Sequence, residues 1–318
     1  MTAVPDAVHL PAARQPAGGF FFDVTMPIPH LLLALAIIAI WGTNFVVIKI
    51  GLEEFPPLLY ASLRFAFSCL PWLFVVKRPQ VPWRLLVGTG LFLGFGLFGL
   101  LFIAMRADIT PGVASIVVQT QAFFTIALAM LFLRERLRMF QIAGLALCVG
   151  GLVMLFANVD GSLTVRGLLL ALTGGFCWGV ANLIAKRAGK VDMLGFMVWS
   201  SMFAVPPLLL ASFWIEGTSS IATALMHASA SAWATAVWQG VGNTLFGYGA
   251  WNWLLARHQA TTVAPLSLLV PVVAMLSSAL ILDEALPAWK LEAAALLLAG
   301  LAVIALWPRW RERLRHAS

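Results

Sequence analysis

The chain contains few charged residues. Asp, Glu, Lys and Arg make up 10% of its 318 residues, whereas an average soluble domain contains about 25%. Hydrophobic residues account for 61%, and the mean hydropathy is +0.94. This composition excludes a soluble globular protein and is typical of a membrane protein that crosses the bilayer several times.

Cysteine and histidine are also scarce. Cys69, Cys148 and Cys177 fall inside apolar segments, which indicates small packing residues and no disulfide framework. The five histidines neither cluster nor lie in the middle of a predicted span, and no metal-ligand spacing is present. No metal or cofactor is therefore expected. An intramembrane enzyme would need a nucleophile with a base, or a metal cluster, and it is kept only as a remote alternative.

Ten apolar segments are long enough to form membrane helices, which need about 20 residues each. We number them span 1 to span 10. Their predicted ranges are 30–49, 57–76, 84–105, 112–133, 139–157, 166–185, 194–214, 233–255, 262–282 and 288–307. The predicted fold class is an all-α polytopic membrane protein. Residues 1–28 are interpreted as a disordered cytoplasmic tail and residues 309–318 as a basic cytoplasmic tail.

One motif occurs twice in this pattern. Residues 41–49 read Trp-Gly, six residues, then Lys, and residues 178–186 repeat this order in span 6. Glu135 follows span 4 just as Glu284 follows span 9. Because each half contains five spans, an odd number, equivalent spans cross the membrane in opposite directions. The ten helices thus form a 5+5 inverted-topology repeat, which is typical of transporters. The predicted repeats are residues 29–158 and 159–308.

The basic residues predict the orientation of the chain. Fifteen of the twenty Lys and Arg residues fall in segments on the side of the N-terminus, and four fall on the other side. Arg64, inside span 2, is the remaining one. Loops rich in Lys and Arg stay in the cytoplasm. Both termini are therefore predicted to be cytoplasmic.

Polar amides occur inside several spans, where they usually face the bundle interior or a cavity. Asn44 lies three residues after Trp41, on the same helix face. Amides both donate and accept hydrogen bonds, so with aromatic rings they can hold a small zwitterion, or they can bond between helices and serve packing. Gln119 and Gln121 are two residues apart, so only one of them is expected to reach a given cavity. The other members of this polar and aromatic set are Trp178, Asn182, Gln239, Asn243, Tyr248 and Trp251.

Five charged residues are assigned gating or structural roles. Arg64 is the only full charge well inside a span, and it either meets a substrate carboxylate or bonds backbone carbonyls. Lys49 and Lys186 end equivalent spans, where each either extends to the interface or contributes to a gate. Glu135 and Glu284 complete this set.

Two prolines predict an interruption in span 9. Pro265 and Pro271 each lack a backbone donor and leave a carbonyl without its helical partner. Span 4, the equivalent span, has Ile116 and Ala122 at these positions. Span 9 is therefore predicted to be broken or kinked beside the site.

None of the thirteen acidic residues lies near the middle of a predicted span. A proton-coupled transporter usually carries a titratable group inside the membrane, so coupling through a central carboxylate is disfavoured. No nucleotide-binding loop is present either. Facilitated diffusion is the simplest mechanism, while exchange or a proton route through the carboxylates at span ends stays open.

Four stretches of the sequence carry a likeness to a known family, at residues 41–49, 119–126, 247–251 and 263–273. They resemble the EamA branch of the drug/metabolite transporter superfamily, and the likeness covers roughly residues 30–312. The resemblance implies export of cysteine-pathway metabolites, such as O-acetylserine and cysteine, across the bacterial inner membrane. Related members export aromatic or other amino acids, purines or drugs, with or without proton coupling, and these cargoes remain alternatives.

In transporters of this family the pocket lies between the halves, on spans 1 and 6, 3 and 8, and 4 and 9. The expected partners are a small-molecule substrate and the lipid bilayer, with no nucleic acid, and the expected state is a monomer or weak homodimer. Mapped by span and polarity, the implied substrate-binding residues are Trp41, Asn44, Gln119, Gln121, Trp178, Asn182, Gln239, Asn243, Tyr248 and Ser267.

Overall fold

The computed structural model is helical throughout the residues that it describes. These are residues 26–133, 138–159, 162–189, 191–258 and 260–317. This part of the chain contains no β-strand, and its only extended pairing is an isolated bridge between Ile109 and Leu163. Glu135 and nearly all of the predicted N-terminal tail lie outside the described residues.

Each of the ten predicted spans coincides with a helical segment. The observed bounds are Ile28–Glu54, Pro57–Cys69, Trp83–Ala107, 111–133, Met139–Ala157, Val165–Ala188, Met193–Ile215, 230–257, 260–282 and Ala288–Ala317. A short helix, Thr218–His227, lies in the connection between spans 7 and 8. Within the described residues, eight of the spans are long and apolar enough to cross a membrane. The all-α membrane fold is confirmed.

Spans 2 and 8 do not meet that criterion, each for a different reason. The α-helix of span 2 ends at Cys69, earlier than the predicted residue 76. Pro71 lacks a backbone N–H and cannot continue the hydrogen-bond ladder, and the chain continues as turns to Val76. Span 8 is long enough, but Gln239 and Asn243 lower its hydropathy.

Equivalent spans carry the same kind of backbone irregularity. Spans 3 and 8 contain π-helical segments at Gly90–Gly99 and Trp238–Phe246. Spans 4 and 9 contain 3-10 segments at Val118–Thr120 and Ala264–Leu268. The repeat therefore extends from the sequence motifs to the local geometry of the backbone.

The packing of the helices also follows the repeat. Span 1 packs closely against span 9, and its equivalent, span 6, packs closely against span 4. Span 5 packs against span 10, and span 2 packs against span 7. Each of these contacts joins two equivalent spans, so exchanging the halves maps it onto itself. Exchanging the halves maps these four principal contacts onto one another, as expected for an inverted repeat.

The connections between spans gather at two ends of the bundle. We call the end where span 1 finishes the Glu284 face and the end where it begins the Ile28 face. At the Glu284 face, carboxylates from the second half cap helices of the first. Glu216 accepts hydrogen bonds from the N–H groups of Leu58 and Leu59 at 2.6 and 3.1 Å, and Glu284 accepts one from Gly112 at 3.0 Å. Carboxylates suit helix N-termini because free N–H groups and the positive dipole end meet there.

Candidate substrate cavity

A cavity of about 330 Å³ lies between the two halves of the chain. Its wall contains residues of spans 1, 2, 3, 4, 6, 8 and 9. Nine of the ten residues predicted to bind a substrate line it, and Arg64 lines it as well. The nine are Trp41, Asn44, Gln119, Gln121, Trp178, Asn182, Asn243, Tyr248 and Ser267.

Gln239 is the predicted binding residue that does not line the cavity. It is fully buried on the π-helical segment of span 8. Its Oε1 accepts a hydrogen bond from Nη1 of Arg64 at 2.6 Å. In this structure Gln239 holds a neighbour of the cavity in place and does not contact the space itself.

Gln119 and Gln121 both line the cavity, although an α-helix would direct them to different faces. The 3-10 segment Val118–Thr120 lies at this point. Residues two apart differ in direction by about 120° in a 3-10 helix and by about 160° in an α-helix. The expectation that only one glutamine reaches the cavity was therefore wrong, because it assumed an unbroken α-helix.

An aromatic cluster forms one part of the wall. The ring of Trp41 lies 5.5 Å from that of Tyr248 and 5.1 Å from that of Trp251, between centroids. Nε1 of Trp41 donates to the backbone carbonyl of Asn243 at 3.3 Å. Span 1 of the first half and span 8 of the second therefore share one aromatic surface facing the cavity.

The amide side chains of the cavity wall differ in whether their polar atoms have hydrogen-bond partners. Nδ2 of Asn182 donates to Oε1 of Gln121 at 2.6 Å and to Oγ1 of Thr125 at 3.1 Å. The Oδ1 atoms of Asn44 and Asn243 are buried, and neither accepts a hydrogen bond within the described part of the chain. Buried acceptors without partners are uncommon in folded proteins.

Arg64 brings a positive charge to the cavity. The residue is 1% exposed, and its Cζ atom lies 3.8 Å from the centroid of the Phe98 ring. Its Nε donates to no acceptor among the described residues. No acidic side chain of the described residues lines this cavity.

The other charged residues of interest lie at the ends of the bundle. Nζ of Lys49 donates to the carbonyls of Met105 and Arg106 at 3.1 and 3.0 Å, which ties the end of span 1 to the end of span 3. Lys186 is exposed at the Ile28 face. Glu284 lies at the other face, 3.1 Å from Nζ of Lys290.

The two prolines of span 9 occupy different positions. Pro265 lies inside the 3-10 segment, next to Ser267, which lines the cavity. Pro271 is buried in the first turn of the α-helix Leu269–Leu282, where the N–H groups have no partner within that helix. Span 4 has a 3-10 segment without any proline.

The sequence did not single out the apolar part of the wall. Span 3 contributes Leu97, Phe98 and Leu101, and span 1 contributes Phe45 and Ile48. Apolar residues at helical spacing occur in every span, so no local signal separates those that line a cavity from those that pack against a neighbour.

Comparison with known proteins agrees with this architecture. A sequence model of the EamA-like transporter family matches the chain twice, at residues 28–157 and 165–306. The two matches coincide with the two halves of five spans.

Two curated relatives are similar over almost their full length. A Salmonella typhimurium protein named probable amino-acid metabolite efflux pump is 41% identical over 85% of this chain and 92% of its own. An Escherichia coli K12 protein of the same name is 37% identical over 90% of this chain and 98% of its own.

A crystal structure with 21% sequence identity superimposes with a TM-score of 0.59, over 88% of this chain and 96% of the other. At that identity the likeness shows a shared fold. The chain is thus a multi-pass membrane transporter for small molecules, and it belongs to the EamA-like transporter family.

Proposed function

We propose that this protein exports small amino-acid metabolites of the O-acetylserine and cysteine type from the cytoplasm across a bacterial inner membrane. The cavity between the two halves is the substrate site. Both relatives named above carry amino-acid metabolite efflux in their names. The observation that carries the proposal is that polar residues of both halves converge on this one cavity.

The size of the cavity supports a small cargo. Small-molecule sites span about 300–1,000 Å³, and 330 Å³ lies at the lower end of this range. A cavity of this size suits a single amino acid better than a drug-sized molecule. Its aromatic wall also favours a second candidate, the export of aromatic amino acids, and phenylalanine therefore belongs in the test.

We propose that transport proceeds by alternating access, which the inverted repeat supports. Two halves of opposite direction can exchange conformations, so that the same site opens first to one side and then to the other. We propose facilitated diffusion, because all thirteen acidic residues of the sequence lie away from the centres of the spans. With both termini in the cytoplasm, the Ile28 face is cytoplasmic and the Glu284 face is external.

Reconstitution in liposomes tests the proposal. The purified protein should carry O-acetylserine and cysteine faster than threonine and phenylalanine, and a pH gradient should change neither rate. Protein-free liposomes serve as the control. Faster flux of phenylalanine than of cysteine would shift the assignment to aromatic amino acids. Flux that requires the gradient would refute facilitated diffusion.

A further inference from the structure

Among the residues that the structure describes, no acidic side chain forms an ion pair with Arg64. Nη1 donates to the amide oxygen of Gln239 at 2.6 Å, and the guanidinium lies 3.8 Å from the Phe98 ring centroid. Both partners are neutral, and the residue is 1% exposed. A buried guanidinium is normally balanced by a carboxylate. No carboxylate of the described residues lines this cavity, so a negative charge on a bound ligand would balance Arg64.

The position of Arg64 is fixed by its surroundings. Its backbone carbonyl accepts a hydrogen bond from Oγ of Ser68 at 2.8 Å. A Cβ atom placed on Gly240 would lie 2.9 Å from the same carbonyl and 2.5 Å from Cβ of Phe67. Span 2 therefore approaches the backbone of span 8 closely at this point, and Gln239 is the positioning residue for the guanidinium. The fork of an arginine held in this way matches a carboxylate.

The same cavity offers acceptors for an opposite charge. Oδ1 of Asn44 and Oδ1 of Asn243 are buried and accept no hydrogen bond from the described residues. Both residues line the cavity, together with the aromatic rings of Trp41, Tyr248 and Trp251. An ammonium group satisfies amide oxygens, and aromatic faces attract it further.

We propose that the cavity recognises the α-amino-acid group itself. Arg64 binds the carboxylate, and the amide oxygens of Asn44 and Asn243 accept hydrogen bonds from the ammonium group. This inference rests on the proposed function and deepens it, because it defines the cargo as a zwitterion with a free α-carboxylate and a free α-ammonium. Amines that lack the carboxylate and acids that lack the ammonium group are rejected.

Binding of three matched compounds tests this recognition. Quenching of tryptophan fluorescence in the detergent-solubilised protein reports occupancy, since three tryptophans line the cavity. The compounds are cysteine, cysteamine, which lacks the carboxylate, and 3-mercaptopropionate, which lacks the ammonium group. The wild-type protein should bind cysteine about tenfold or more tightly than either analogue, because each analogue loses charge-assisted hydrogen bonds.

Variants of Arg64, Asn44 and Asn243 test which residue binds each end of the ligand. Arg64→Gln should weaken cysteine binding about tenfold or more and leave cysteamine binding unchanged. Asn44→Leu and Asn243→Leu should weaken cysteine binding and leave 3-mercaptopropionate unchanged. Arg84→Gln is the matched control, because Arg84 is exposed at the start of span 3, and it should bind all three compounds as the wild-type protein does.

Several outcomes would overturn the inference. One is a wild-type protein that binds cysteine no better than cysteamine. Another is an Arg64→Gln variant that loses cysteine and cysteamine equally, which would indicate a structural role. If Arg64→Gln does not fold, Arg64→Lys distinguishes carboxylate binding from a structural role. It keeps the charge but not the fork, and it should weaken cysteine binding several-fold while sparing cysteamine.

The same comparison with phenylalanine, phenethylamine and 3-phenylpropionate separates this inference from the proposed function. If only the phenylalanine series shows the expected pattern, the recognition of the amino-acid group holds and the cysteine assignment fails. If the pattern holds in binding but liposomes show no flux, the recognition holds and the export function fails.

Discussion

Asn182 shows that one side chain can belong both to helix packing and to a binding site. Its hydrogen bonds to Gln121 and Thr125 connect span 6 to span 4, while the residue also lines the cavity. The two interpretations of the amides, substrate contact and interhelical bonding, are therefore compatible for this residue. Asn44 differs, because its Oδ1 has no partner among the described residues.

Asn44→Ala and Asn182→Ala should each lower cysteine flux about five- to tenfold, because a lost hydrogen bond is worth about 1–1.5 kcal/mol. The measurement is uptake into liposomes containing equal amounts of folded protein. Asn158→Ala is the control, since Asn158 lies at the end of span 5 and bonds to the carbonyl of Met154. Wild-type flux in both test variants would show that the amides serve packing alone.

Glu284 is predicted to stabilise the Glu284 face. Its carboxylate accepts hydrogen bonds from Thr110, Gly112 and Ser278, and its Oε1 lies 3.1 Å from Nζ of Lys290. The side chains of this ion pair are only 4% and 2% exposed. Glu284→Gln should lower the free energy of unfolding by about 3–5 kcal/mol, because it leaves a buried charge unpaired.

Thermal unfolding in detergent measures the loss at Glu284. Glu292→Gln is the control, because Glu292 is exposed near the start of span 10, and it should unfold at the wild-type temperature. Adding Lys290→Met to Glu284→Gln removes the unpaired charge and should recover part of the stability. A single variant as stable as the wild-type protein would contradict this account of the ion pair.

At the scale of the elements, spans 5 and 10 cross at a pair of glycines. A Cβ atom on Gly144 would lie 2.7 Å from the carbonyl oxygen of Gly300, and one on Gly300 would lie 2.6 Å from that of Gly144. Such distances leave no room for a methyl group between the two backbones. Small residues at membrane helix contacts permit this close approach.

Gly144→Ala and Gly300→Ala should each destabilise the protein by about 1–3 kcal/mol, because the helices must separate to admit the new methyl group. Thermal unfolding is again the measurement. Gly150→Ala, on the same helix, is the matched control: its added Cβ would meet only Leu296 Cδ1, at 3.8 Å. Ala is a better helix former than Gly, so a loss at Gly150→Ala as large as the other two would show that the close crossing is not the cause.

At the scale of the whole molecule, the distribution of basic residues predicts which face is cytoplasmic. Ser219, in the short helix after span 7, is exposed at the Glu284 face, and Arg187 is exposed at the Ile28 face. In a protein whose native cysteines are replaced, Ser219→Cys should react with an impermeant maleimide in intact cells. Arg187→Cys should react only after the membrane is opened. The reverse pattern would invert the orientation.

The membrane class, the number of spans and the two halves could all be predicted from the sequence. The reason is that hydropathy and repeated motifs are visible in the sequence itself, and a run of about 20 apolar residues is characteristic of a membrane-spanning helix. Most of the cavity could also be predicted, since polar groups in hydrocarbon turn inward wherever they occur. Trp41, Asn44 and Asn182 line the cavity as that argument expects.

Other features depended on how distant segments meet. Gln239 is as polar as Asn243, yet packing directs it to Arg64 and leaves Asn243 at the cavity. Gln119 and Gln121 share one cavity because the 3-10 segment Val118–Thr120 changes the direction of their side chains. This segment contains no proline, so the sequence gives no sign of it. Polarity makes a residue face inward, but only the packing of helices far apart in sequence decides which partner it finds there. Tertiary structure alone therefore places a positive charge in the wall of this cavity, which no acidic side chain of the described residues lines.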